Sequence, residues 1–131
     1  MKNHLKWLLV GLSFLVSLYL AFRVQINSGF YLLLGDGYDG VIEGVIVNHW
    51  AHVFTGQSAW TQVGYFYPVN GTLGYNDSYF LYGVLSFFFK TIGFDHFLRV
   101  ELTHITIRAI GFFAMLVLVR QFITSNALAV Y

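Results

Sequence analysis

The sequence predicts an all-α membrane protein with about three transmembrane helices and an interfacial amphipathic helix in a long first external loop. Hydrophobic residues make up 57% of the chain and charged residues only 10%, and the mean hydropathy is +0.65. A soluble domain usually carries about 25% charged residues. The few charges stand singly at the edges of apolar runs, which is the pattern of helices that cross a bilayer.

Composition also excludes several classes of function. The formal net charge of +1 provides no basic surface for nucleic acid. The absence of cysteine excludes disulfides, thiolate metal ligands and thiol nucleophiles. The length of 131 residues allows one membrane module. We predict no cofactor.

The first span is predicted over residues 5–23. The run from Trp7 to Phe22 carries no charge and is flanked by Lys6 and Arg23. It forms roughly 24 Å of helix, which the two flanking cations extend towards the bilayer thickness of about 30 Å. We predict that the protein lies in the inner (plasma) membrane. Lys2 and Lys6 then place its N-terminus in the cytoplasm, by the positive-inside rule. Because no small-x-small cleavage site follows, an uncleaved anchor is favoured over a signal peptide.

Residues 24–76 form the long external loop, and an interfacial helix is predicted over residues 39–55. Apolar residues recur at helical spacing with polar residues between them, so one face of the helix is apolar and the other is polar. Such an amphipathic helix is expected to lie flat on the outer leaflet. Trp50 is expected at headgroup depth. The stripe consists of Val41, Ile42, Val45, Ile46, Trp50, Val53 and Phe54.

Two further spans are predicted over residues 77–94 and 101–123, with residues 95–100 in the cytoplasm. Lys90 and Arg99 would then join the cytoplasmic lysines, in agreement with the positive-inside rule. Arg108 either faces the interior of a bundle or snorkels towards the surface. Residues 126–131 begin another helix, so we expect the N-terminal part of a larger multi-pass protein.

The segment from Gly35 to Gly40, with Glu43, contains three of the six acidic residues of the chain. Carboxylates beside hydrocarbon are costly unless water, a partner or a substrate compensates them. The alternative is a solvated glycine turn in which Asp39 caps the following helix. His49, His52 and Glu43 could share a divalent cation, but no fourth ligand is evident and no metal is predicted.

Several motifs together suggest a family. They are Gly35-Asp36-Gly37-Tyr38-Asp39-Gly40, His49-Trp50, Trp60, Tyr65-Phe66-Tyr67-Pro68 and Leu73-Gly74-Tyr75-Asn76-Asp77. With one span before them and a return span after them, they resemble the N-terminal module of membrane glycosyltransferases of the GT-C type. The pattern is most similar to uncharacterised bacterial multi-pass proteins of this architecture.

The resemblance implies a sugar transfer from a polyprenyl-phosphate donor to an extracytoplasmic acceptor. Asp36 matches the family's general base, and Asp39 is the alternate. Partners would be the lipid bilayer, the lipid-linked sugar donor and the remaining transmembrane helices. The other possibility is a non-catalytic transporter or assembly component. Candidate substrate-binding residues are Glu43, Trp50, Trp60, Tyr67 and Asp77.

Overall fold

The regular structure of the chain is entirely helical where it is described. A computed structural model describes residues 2–35, 37–64, 67–75 and 77–122. This confirms the all-α class. The elements are α1 (Lys2–Asn27), α2 (Asp39–Phe54), a short 3-10 turn (Thr72–Tyr75), α3 (Phe80–Ile92) and α4 (His96–Phe122).

Helices α1 and α4 form an antiparallel pair. The guanidinium of Arg120 lies 5.4 Å from the ring centroid of Trp7, and the ring centroids of Phe14 and Phe113 are 5.0 Å apart. As α1 advances by seven residues, its partner on α4 therefore moves back by seven. Both helices are long and apolar enough to cross a membrane. Their large apolar side chains are mostly exposed, as expected of surfaces that face lipid or further helices.

Helix α4 begins earlier than the sequence predicts. The Asp95 side chain accepts hydrogen bonds from the backbone N–H groups of Phe97 (3.0 Å) and Leu98 (3.1 Å) and so caps the first turn. Residues 96–100, expected in a cytoplasmic loop, are helical instead. Glu101 accepts a hydrogen bond from the backbone of Leu34, which places the start of α4 beside the loop that follows α1.

Helix α3 is shorter than the span predicted over residues 77–94. It contains 13 residues and is therefore about 20 Å long, less than the bilayer core of about 30 Å. Tyr79 before it and Gly93 after it both adopt left-handed backbone conformations, which end the helix on either side. The sequence overestimated this element because apolar residues continue beyond the points where the backbone turns.

Helix α2 matches its predicted position closely, but its apolar stripe is divided: Ile46 and Trp50 are buried, whereas Val41, Ile42, Val45 and Phe54 are exposed. Ile46, Trp50, Val63 and Leu73 form a buried core between α2 and the segment that follows it. The Trp50 indole N–H donates to the carbonyl of Ser78 at 2.6 Å. Trp50 is only 6% exposed, so it packs within the protein, and its depth in a membrane stays a prediction.

Helices α2 and α3 both run antiparallel to α4. Glu43 on α2 contacts His104, and Asn48, further along α2, contacts Arg99, which is earlier on α4. The Tyr82 ring near the start of α3 packs against His104 as well, at 5.3 Å between centroids. Glu43 near the start of α2 and Tyr82 near the start of α3 therefore meet at His104 on α4, and this junction holds the candidate site.

Candidate functional site

The glycine motif forms a loop whose two ends touch. Gly35 has a φ of +96°, which a residue with a side chain rarely adopts. A Cβ at Gly40 would lie 3.0 Å from the Leu34 carbonyl oxygen, so a larger residue here would require the Leu34 backbone to shift by a few tenths of an ångström. The motif is thus a closed turn that feeds directly into α2. Asp36, the first candidate base, lies outside the described residues.

Asp39 is the first residue of α2, and the position before it, the N-cap, is Tyr38. The predicted capping role of Asp39 is therefore wrong by one position. A carboxylate in the first turn still interacts favourably with the helix dipole. The Asp39 side chain is exposed.

The charges of three carboxylates act on Tyr79, and we call Asp39, Glu43 and Asp77 the acidic cluster. Burial raises the pKa of the Tyr79 phenol, and the charges of Glu43, Asp77 and Asp39 raise it further. All three carboxylates therefore lie near this phenol, although Asp77 is far from the other two in sequence. The structure brings together three of the residues that the sequence proposed for the site.

Tyr79 itself has a backbone conformation that supports this arrangement. Its φ of 47° and ψ of 32° are left-handed, which costs a non-glycine residue roughly 1–2 kcal/mol. Such conformations occur preferentially at functional sites, where the surrounding packing maintains them. The sequence carries no signal for this residue beyond its aromatic type.

Glu43 connects the acidic cluster to α4. Its Oε1 lies 3.3 Å from Nε2 of His104, and the Tyr82 ring covers the other side of that imidazole. Burial raises the pKa of the Glu43 carboxyl. The raised pKa means that this carboxyl group stays protonated to a higher pH than an exposed one, so it can donate as well as accept a hydrogen bond.

The three candidate aromatic residues differ in what they can do. Trp50 is buried, with the Phe54 ring stacked on it at 5.9 Å and the Phe80 edge at 5.0 Å, so it serves packing. Trp60 is 63% exposed and Tyr67 is 86% exposed. Their faces can still stack on a sugar ring.

The histidines of α2 are used for structure. His49 is buried and its Nε2 lies 3.0 Å from the Trp60 carbonyl oxygen, which fixes the loop against α2. His52 is exposed and lies 3.4 Å from the Asn48 amide. Within the residues that the structure describes, no group of three or more histidine or acidic side chains has the geometry to hold a metal ion.

The first turns of α4 contribute polar residues that the sequence did not assign to the site. Arg99 and Glu101 are 5% and 1% exposed, and Arg99 donates to the Asn48 side chain at 3.1 Å. Glu101, His104 and Arg108 have the i, i+3, i+7 spacing of one helix face, which is the signal that could have identified His104. Arg108 is exposed, so it does not face a packed interior within this chain.

No protein-family model, no curated protein and no solved structure matches this chain. The functional inference therefore depends on the residues and their geometry alone.

Proposed function

We propose that this protein is a module of a membrane glycosyltransferase in which the acidic cluster activates an acceptor hydroxyl. The observation that carries the proposal is that the charges of Asp39, Glu43 and Asp77 all act on the Tyr79 phenol. Its ring packs against Tyr82, which in turn packs against the His104 partner of Glu43. These carboxylates lie where α2 and α3 begin, beside the half of α4 that meets the end of α1. A substrate anchored in the outer leaflet can reach this position.

The chemistry requires a base and a site for hydroxyl-rich ligands. A carboxylate accepts the proton of the acceptor hydroxyl, whose oxygen then bonds to the anomeric carbon of the sugar. The bond from that carbon to the donor phosphate oxygen breaks, and the polyprenyl phosphate leaves with its electron pair. Asp36 or Asp39 is the proposed base, and Glu43 and Asp77 would accept hydrogen bonds from sugar hydroxyls.

The proposed membrane arrangement has two crossings, made by α1 and α4. Helices α2 and α3 and the loops between them then lie on the outer side, together with residues 93–95. The short length of α3 and the antiparallel pairing of α1 with α4 support this arrangement over three crossings. Lys2 and Lys6 before the first span favour a cytoplasmic N-terminus in the inner membrane.

Sugar transfer in membranes from cells that express the protein tests the proposal. The donor is a radiolabelled pool of polyprenyl-phosphate sugars, and the variants are Asp36→Asn, Asp39→Asn and Asp77→Asn. Loss of the base should lower the rate about a hundredfold to ten-thousandfold in one of the first two variants. Asp95→Asn is the matched control, because it removes one carboxylate on the same side while asparagine still caps α4.

The proposal fails if membranes with the wild-type protein transfer no more sugar than membranes without it, or if the Asp36 and Asp39 variants both keep the wild-type rate. A non-catalytic transporter or assembly component would then be favoured. One observation already fits that alternative, since Glu43 pairs with His104 and Arg99 with Asn48. Both pairs hold α2 against α4, as purely structural contacts would.

A further inference from the structure

Arg108 is a cation within the apolar stretch of α4. The helix is long and apolar enough to cross a membrane over His96–Phe122, and Arg108 lies near its middle. Its side chain is exposed, and among the residues that the structure describes it forms no ion pair. An unpaired charge in hydrocarbon is costly, so arginines in membrane spans usually have an anionic or polar partner. Arg108 therefore needs a partner that the described residues do not supply.

The depth of Arg108 in the membrane indicates the kind of partner. Arg120, twelve residues later on α4, lies over the Trp7 ring beside Lys6, so these residues mark the inner boundary of the span. Twelve residues of α-helix correspond to about 18 Å, which leaves Arg108 about 12 Å below the outer boundary of a core about 30 Å thick. Its side chain points back towards the start of α4, which is the outer end in the two-crossing arrangement. The guanidinium can therefore reach the headgroups of the outer leaflet.

We propose that Arg108 binds the phosphate group of an anionic lipid in the outer leaflet. The guanidinium presents parallel N–H groups that pair with two phosphate oxygens, and these charge-assisted hydrogen bonds are strong where water is excluded. Lipid phosphates are present at headgroup depth all around the protein, whereas a carboxylate partner would require a further chain to cover this face of α4. The phosphate site depends on the two-crossing arrangement and not on sugar transfer.

The bound lipid would lie close to the acidic cluster. Arg108 is one helical turn from His104 on the same face of α4, and its charge acts on that imidazole. His104 contacts Glu43 of the cluster at 3.3 Å. The phosphate would therefore lie within about one or two helical turns of the cluster, which is where a polyprenyl-phosphate donor has to be bound. This identity of the lipid, unlike the phosphate site itself, rests on the proposed function.

Native mass spectrometry of the purified protein, released from detergent micelles, tests the site. The probes are dioctanoyl phosphatidic acid and dioctanoylglycerol, which has the same chains without the phosphate. The wild-type protein should bind the phosphatidic acid at least about tenfold more tightly, because only this lipid forms charge-assisted hydrogen bonds with the guanidinium. Arg108→Gln should abolish the preference, and Arg108→Lys should retain part of it, since lysine keeps the charge but not the paired N–H groups.

Arg23→Gln is the matched control. Arg23 is exposed and carries the same charge, but it ends the apolar run of α1 and so lies within reach of water. This variant should keep the wild-type preference for phosphatidic acid. An equal loss in Arg23→Gln and Arg108→Gln, or an unchanged preference in Arg108→Gln, would overturn the proposal. A second protein chain that the wild type carries and Arg108→Gln loses would also overturn it, in favour of a carboxylate partner.

Two further probes distinguish the sources of the phosphate. Farnesyl phosphate carries a phosphate monoester on a prenyl chain, and dioctanoyl phosphatidylglycerol carries the phosphate diester of bilayer lipids. Tighter binding of farnesyl phosphate would support a donor site, whereas equal or tighter binding of phosphatidylglycerol would support a site for a bilayer lipid. Because no sugar is transferred in this measurement, the phosphate site can be confirmed where the transferase proposal fails, and it can fail where sugar transfer is observed.

Discussion

Glu43 combines a carboxyl group, a half-buried position and an imidazole neighbour. Burial raises its pKa above the ordinary value of 4.5, so the folded chain holds this proton to a higher pH than the unfolded chain does. The stability that results is fully present below the unfolded pKa and is lost as the pH rises through the folded pKa. The stability of the folded protein therefore depends on the protonation state of Glu43, a member of the acidic cluster.

Glu43→Gln tests this coupling, because glutamine keeps the size and the hydrogen bond to His104 but cannot ionise. As the pH rises from about 4.5 towards neutrality, the wild-type protein should lose stability relative to the variant. Thermal unfolding in detergent at a series of pH values measures this difference. A difference that stays constant with pH, or that favours the wild type as the pH rises, would show that burial does not raise this pKa.

The residues of the site were only partly predictable from sequence. Acidic type and position near the end of a span led us to propose Asp39, Glu43 and Asp77, and their roles stay predictions. The role of Trp50 was not predictable, because tryptophan suits both a membrane interface and a core, and only the approach of α3 decides between them. Tyr79 was missed because its importance comes from backbone conformation and from carboxylates on two separate segments.

At the scale of the elements, one close helix crossing holds α2 and α3 together. Gly83 on α3 lies directly against Trp50, and a Cβ built there would lie 2.4 Å from the Cβ, Cγ and Cδ1 atoms of that residue. These atoms are near the backbone and cannot move without a shift of the whole helix. The crossing therefore requires glycine, even though glycine is unfavourable within a helix.

Gly83→Ala should lower the free energy of unfolding by about 1 to 3 kcal/mol, as other overpacked substitutions do. Gly111→Ala is the control, since its Cβ would meet nothing within 4 Å. It should raise the free energy of unfolding by about 0.5 to 1 kcal/mol through helix propensity alone. Thermal unfolding of both variants in detergent measures these effects. Equal stabilisation by both alanines would contradict the close crossing.

The elements themselves were predicted unevenly, for physical reasons. The bounds of α2 were predicted almost correctly because the glycine turn precedes it and Gly56 follows it. The length of α3 was overestimated, because hydropathy registers side chains and cannot detect the left-handed residues that end the helix. The predicted start of α4 was too far along the chain, because Asp95, His96 and Arg99 are typical of a polar loop. In the structure Asp95 caps the helix and Arg99 is buried.

At the scale of the whole molecule, the distribution of basic residues no longer supports three crossings. In the three-crossing prediction, Lys90 and Arg99 joined Lys2 and Lys6 on the cytoplasmic side. In the structure the start of α4 lies beside Leu34, just after α1, so Arg99 lies near the opposite end of α1 from these lysines. The antiparallel pairing of α1 with α4 is then the stronger argument, and it favours two crossings.

The accessibility of Thr91 tests this arrangement most directly, because the two topologies place it on opposite sides of the membrane. The chain contains no cysteine, so in a single-cysteine variant the thiol reagent labels the protein only at the introduced position. Thr91→Cys is compared with Asn70→Cys in the loop after α2 and with His4→Cys at the start of α1; all three positions are exposed.

A membrane-impermeant thiol reagent is applied to intact cells and, separately, to permeabilised cells. We predict that the cysteines at positions 70 and 91 react equally in intact cells, whereas the cysteine at position 4 reacts only after permeabilisation. If the cysteine at position 91 behaves like that at position 4, α3 crosses the membrane and the two-crossing arrangement is wrong.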